Sequence, residues 1–84
     1  MTGTLNLESV PALWQQLKAG GMLTAAREAD LSAVTNADSA GLAMLVAWRG
    51  HCLAVGGALV FRSVPPRILA LARLTEAEGA LGAI

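Results

Sequence analysis

Apolar residues recur along this chain in two rhythms, and their alternation predicts an α/β domain. At Val10, Leu13, Trp14 and Leu17 the spacing is helical and gives a helix over Val10–Ala19. Asn6 or Ser9 can cap it, and with Ser9 as the cap Pro11 takes the second helical position, where its missing N–H costs nothing. Gly20 and Gly21 stop this helix. Ahead of it, Thr2–Leu5 is long enough only for the tail of a strand, and behind it Met22–Arg27 has no clear rhythm. Glu28–Val34 then reads as a buried strand. It enters a polar turn, Thr35–Asp38, which opens onto a strongly apolar helix over Ser39–Ala54.

Gly56 and Gly57 turn the chain into a second strand, Ala58–Arg62, and Ser63–Pro66 forms a stiff turn. Pro65 and Pro66 can open the next helix but not sit inside it, so that helix runs over Pro66–Leu74 with Ile68, Leu69 and Ala72 inward and Arg67 and Arg73 outward. Thr75 is placed to cap a last short turn containing Glu76 and Glu78, where the helix dipole favours acids. The tail Gly79–Ile84 is small and apolar, suited to docking, fraying or meeting a partner.

The long helix has two unlike faces. Leu42, Leu45, Val46, Cys52 and Leu53 share one arc, with Trp48 on its shoulder, and this arc is expected on the sheet. Ala40, Ala43, Met44, Ala47, Gly50 and His51 share the opposite arc. A solvent-facing helix surface normally carries Lys, Glu or Gln, so this smooth face is expected either under another element or against a partner.

Length and charge narrow the function. The 84 residues suit one small domain, 1–84, and charged residues are only 14% of them, against about 25% in ordinary soluble domains. Part of the 55% apolar content is therefore expected at the surface, where it invites a protein partner. Six basic residues balance six acidic ones without clustering, which leaves no footprint for nucleic acid. Cys52, within an apolar run, reads as a buried thiol of a reducing compartment. The start MTGTLNLE lacks the basic and apolar regions of an export signal. Ala40–Phe61 is the stretch nearest to a membrane span, but Arg49 near its centre would cost about 2.5 to 3.5 kcal/mol, and Gly50, Gly56 and Gly57 break it.

No pair of carboxylates, nucleophile with adjacent base or ligand cluster marks an enzyme, and no GxGxxG or GxxxxGK[ST] marks a nucleotide site. The expectation is a protein with no catalytic residue, cofactor or metal.

The run Asp30–Leu45 reads DLSxVxxxDSxGLxxL, carried by Asp30, Leu31, Ser32, Val34, Asp38, Ser39, Gly41, Leu42 and Leu45. This pattern resembles the STAS domain family of sulfate transporters and anti-sigma factor antagonists, with similarity from about Gly3 to Leu81. Val10–Trp14, reading VPALW, and Gly41–Leu45, reading GLAML, are most similar to its MlaB-like branch, the small stand-alone STAS proteins of the bacterial Mla phospholipid transport system. The resemblance implies a STAS-like α/β fold, a mixed sheet with helices mainly on one face. Family members normally begin with a hairpin whose second strand leads into the positions of Gly3 and Leu5. This chain starts near the end of that strand, which implies an upstream start or a trimmed domain with one exposed sheet edge.

The resemblance also implies partners. In the antagonists a kinase phosphorylates the serine directly before the Gly-Leu pair. That place is Ala40 here, which has no hydroxyl. Ser39, one position earlier, is then an N-cap or first-turn residue, a contact to a transporter ATPase, or a candidate phosphoacceptor. Asp38 can accept N–H bonds from the same helix end, and Asp30 pins the loop at the strand end. The expected docking surface is Asp38, Ser39, Ala40, Gly41, Ala43, Met44, Ala47 and His51. Its leading partner is the ATPase of a bacterial phospholipid ABC transporter, in the cytoplasm and peripheral to the inner membrane. An anti-sigma factor kinase is the alternative, and a homodimer contact is a third occupant of the same face.

Overall fold

The computed structural model of the chain describes residues 2–25 and 27–81. The elements follow in the order β1 (Thr2–Leu5), α1 (Val10–Ala19), α2 (Met22–Ala25), β2 (Glu28–Asp30), β3 (Ala33–Ala37), α3 (Ser39–Ala54), β4 (Val60–Arg62), α4 (Pro66–Leu74) and α5 (Glu78–Leu81). This is the α/β arrangement the pattern predicts. Helices α1, α3 and α4 begin and end at the residues read from the sequence.

The strands differ from the expectation. Instead of one strand over Glu28–Val34 followed by a turn, the chain makes two short strands, and Thr35, Asn36 and Ala37 belong to the second. The break lies at Leu31–Ser32, where an Asp30 carboxylate oxygen accepts the Ser32 N–H at 2.9 Å and the Val34 N–H donates to the Leu31 carbonyl at 3.0 Å. These bonds form a local turn in place of ladder bonds. Each half then takes its own parallel neighbour. Thr2 pairs with Ala33 and Leu5 with Ala37, across an irregularity between Gly3 and Thr4, while Glu28 pairs with Val60 and Asp30 with Arg62. Two parallel ribbons, β1–β3 and β2–β4, thus stand in place of one mixed sheet among the described residues.

The core forms where α3 and α4 cover these ribbons. Leu5, Leu31, Leu45, Leu59 and Ile68 are fully buried, with Leu42, Trp48, Cys52 and Ala72 around them. Each such Leu or Ile contributes roughly 1.5 to 3 kcal/mol by leaving water. Trp48 is further held by an indole N–H bond to the Met22 carbonyl at 3.0 Å, and its ring lies 6.0 Å from that of Phe61. The Cys52 thiol is buried and donates to the Leu23 carbonyl at 3.3 Å, which ties α3 to α2. Around α3, two positions exchange roles relative to the helical wheel. Met44 is buried at 3% exposure because α1 packs beside it, whereas Leu53, in the last turn, is 46% exposed.

The end of α3 accounts for Gly56 and Gly57. Gly56, at φ +78°, donates to the Leu53 carbonyl, and Gly57 donates to that of Cys52, the paired bonds of a Schellman termination. Helix α4 ends by the same pair of bonds, Glu76 to Arg73 and Ala77 to Ala72, with Glu76 rather than glycine at φ +56°. Thr75 does not start the final turn. It closes α4, and its hydroxyl donates to the Leu71 carbonyl at 2.8 Å. The first part of the apolar tail docks: Leu81 is buried, α5 packs on α3 and α4, and Arg49 bonds the Leu59 and Ala80 carbonyls at 3.3 Å each. Positions 82–84 of that tail lie outside the described residues.

Candidate functional site

The junction of β3 with α3 gathers the residues singled out by the sequence. Asp38 is extended, at φ −132° and ψ −168°, and one of its carboxylate oxygens accepts the N–H groups of Ala40 at 2.9 Å and Gly41 at 3.4 Å. Asp38, not Ser39, is therefore the N-cap of α3. Its own N–H donates to the Leu5 carbonyl at 3.0 Å, which ties the start of α3 to the end of β1. Ser39 occupies the first helical position. Its side chain is exposed, and its hydroxyl makes no hydrogen bond among the described residues.

Gly41 sits directly below this end. Its Cα is buried against β1, and a Cβ there would lie 2.7 Å from both the Cβ and the carbonyl oxygen of Leu5. Met44 is buried one turn further on, while Ala43, Ala47, Gly50 and His51 are exposed and Ala40 is half-buried. The expected set thus divides: Ser39, Ala43, Ala47 and His51 are open to solvent, Asp38 and Ala40 are partly open, and Gly41 and Met44 lie beneath.

Beside this face runs α1. Val10, Pro11 and Trp14 on one side and Ala40, Ala43 and Ala47 on the other enclose a groove of about 540 Å³, with Met44 in its lining. The Trp14 ring meets the His51 ring edge to face, with centroids 5.4 Å apart. The sequence pattern marks Trp14 only as one of the helically spaced apolar positions of α1 and does not show it as a groove wall. The signal was present, since Trp14 stands one helical turn beyond both Val10 and Pro11.

A second cleft, of about 510 Å³, opens at the carboxyl ends of β3 and β4. Ser32, Thr35, Asn36, Ser63 and Arg67 supply its polar lining, and Arg67 donates to the Ala37 carbonyl at 3.3 Å. Asp30, two residues before Ser32, is exposed, and bonds from the Ser32 backbone N–H, then from the Ser32 side chain, hold its carboxyl below the ordinary value of 3.8. An acid held ionised in this way is a poor proton acceptor near neutral pH, which fits a structural role. Among the described residues no three His, Cys, Asp or Glu side chains come together to hold a metal. No described helix is long and apolar enough to cross a membrane.

The arrangement places an exposed hydroxyl at a capped helix end, one turn before Ala43 in an apolar groove of small side chains. Comparison with known proteins agrees with the pattern that led to this site. The family model described as Mlab, STAS domain matches residues 1–82. No curated protein matches the chain. STAS domains are generally non-enzymatic accessory or regulatory modules, and this chain, matched over nearly its whole length, belongs to that family.

Proposed function

We propose that this chain is an accessory subunit that binds the ATPase of a bacterial phospholipid ABC transporter, on the cytoplasmic side, and supports its assembly or activity. The observation that carries this reading is that Ser39, Ala43 and Ala47 are all exposed at successive turns of α3, with Ala43 and Ala47 lining the groove. Small side chains let another backbone approach closely, and the Trp14 wall gives an incoming apolar side chain a rigid surface. The MlaB-like character of the family match supports the choice of partner.

Copurification with the transporter ATPase encoded nearby tests the proposal. Ala47→Glu places a charge on the groove wall and is expected to abolish recovery of the ATPase, with Ser39→Ala reducing it less. Full recovery of the ATPase with Ala47→Glu would count against this function.

The exposed hydroxyl of Ser39 also favours a second reading, an antagonist switched by a kinase. The site opposes it, because the Asp38 carboxylate already takes the Ala40 and Gly41 N–H groups that a phosphate would need, and two anions would face each other. Intact mass after incubation with an anti-sigma factor kinase distinguishes the two, and a single added phosphate would favour the switch.

A further inference from the structure

We infer that Gly41 is a positioning residue for the docking surface proposed above: it touches no partner, but its missing side chain fixes where the Ser39 hydroxyl is presented. The inference rests on that docking reading.

Gly41 lies within α3 and is not among the residues with positive φ, so its backbone conformation is open to any residue. Space is what demands glycine. A Cβ at this position would stand 2.7 Å from the Leu5 carbonyl oxygen and 2.7 Å from the Leu5 Cβ, where ordinary contact begins at 3.4 Å. The carbonyl cannot simply turn away, because it accepts the Asp38 N–H at 3.0 Å. Asp38 in turn accepts the Gly41 N–H. Leu5, Asp38 and Gly41 therefore form a closed circuit, and a methyl group inserted into it displaces the helix end relative to β1.

Ser39 rides on that circuit. With no hydrogen bond of its own among the described residues, its hydroxyl takes its position from Asp38 before it and from the turn through Gly41 after it. Hydroxyl hydrogen bonds occupy a window only about 0.5 Å wide, from roughly 2.5 to 3.0 Å. A retreat from 2.7 Å to ordinary contact exceeds that window. Functional groups need positioning on this scale to act.

The test is a double-mutant cycle on affinity for the transporter ATPase, using the full chain, Gly41→Ala, Ser39→Ala and the double variant. Trimethylamine N-oxide is added at a level where circular dichroism shows every variant folded, since osmolytes favour the compact state. Gly41→Ala is expected to weaken binding tenfold or more, and that loss is expected to shrink in the Ser39→Ala background, because the hydroxyl being misplaced is already gone. A general loss of stability would give no such dependence on Ser39. Equal losses from Gly41→Ala in both backgrounds overturn the inference, as does wild-type affinity of Gly41→Ala or failure of that variant to fold in osmolyte. Where Ser39→Ala binds normally but Ala47→Glu does not, the positioning role falls and the docking surface stands. Normal binding by both sinks the docking surface itself.

Discussion

Trp14 and His51 meet edge to face across the α1–α3 groove, and this contact links two helices at a point where neither is fully buried. Aromatic pairs of this geometry are worth about 0.5 to 1.5 kcal/mol beyond their area. His51→Ala is expected at the lower end of that range because the imidazole is exposed. Urea unfolding followed by circular dichroism checks this, and His51→Phe, which keeps an edge to present, should recover most of the loss. An unchanged midpoint for His51→Ala would show that the pair adds nothing to stability.

Asp38 serves two elements at once, as the cap of α3 and as a backbone donor to the Leu5 carbonyl. Only the capping role depends on its side chain. Asp38→Ala should therefore cost about 1 kcal/mol, the usual value for losing a cap, with the β1 tie intact. Asp38→Asn keeps an acceptor oxygen and is expected to lose much less. Equal losses for the two variants, measured by urea midpoint, would place the effect on charge rather than on the cap.

Helices α3 and α4 end in the same hydrogen-bond pattern with different residues in the left-handed position, Gly56 at φ +78° and Glu76 at φ +56°. A side chain in that conformation costs about 1 kcal/mol relative to glycine. Glu76→Gly is thus expected to raise stability by roughly that amount, less what the unfolded chain gains in entropy. Gly56→Ala, where a Cβ meets nothing within 4 Å, should lower stability by a similar amount through backbone strain alone. Thermal unfolding of the two variants should show shifts of opposite sign, and shifts of the same sign would refute the shared termination.

Helix bounds were legible because their signals are local. The Val10 to Leu17 spacing, the Gly20–Gly21 stop and the Asp38-Ser39 entry each act within a turn or two of chain, and the structure places helix ends at those points. The strand division was not legible, because Glu28–Ala37 offers no glycine or proline to mark a break. The Asp30–Ser32 turn breaks it, and distant neighbours complete the division, β4 for the first half and β1 for the second. Met44 and Leu53 were exchanged for a related reason. A helical wheel gives the angle between side chains but not which sector another helix covers, and α1 covers Met44. Thr75 misled because its hydroxyl can accept at a helix start or donate at a helix end, and sequence does not fix the direction. Within the candidate site, Ser39 followed from the turn that opens α3 and the alanine face from the pattern of small residues, while the close approach of Gly41 to Leu5 depends on a contact between residues 36 positions apart.

The turn that divides the strand carries its own dependence on pH. Asp30 is exposed, and its carboxyl is held below the ordinary 3.8 by the Ser32 backbone N–H, then by the Ser32 side chain, with Arg62 adding a smaller pull. A group whose pKa is lowered by folding contributes stability that is complete above its unfolded pKa and is lost as pH falls through the folded one. The loss from Asp30 therefore lies below pH 3.8 and is absent near neutrality. Asp30→Asn, which cannot titrate, should flatten this part of the acid limb when urea midpoints are followed downward in pH. Ser32→Ala keeps the backbone N–H, the larger of the two causes, so the Asp30 carboxyl should still titrate below its ordinary value, though closer to it. Carboxyl carbon shifts followed by NMR read that titration directly. A value for Asp30 at or above 3.8 in the native chain would count against the hydrogen bonds from Ser32 that form the turn between β2 and β3.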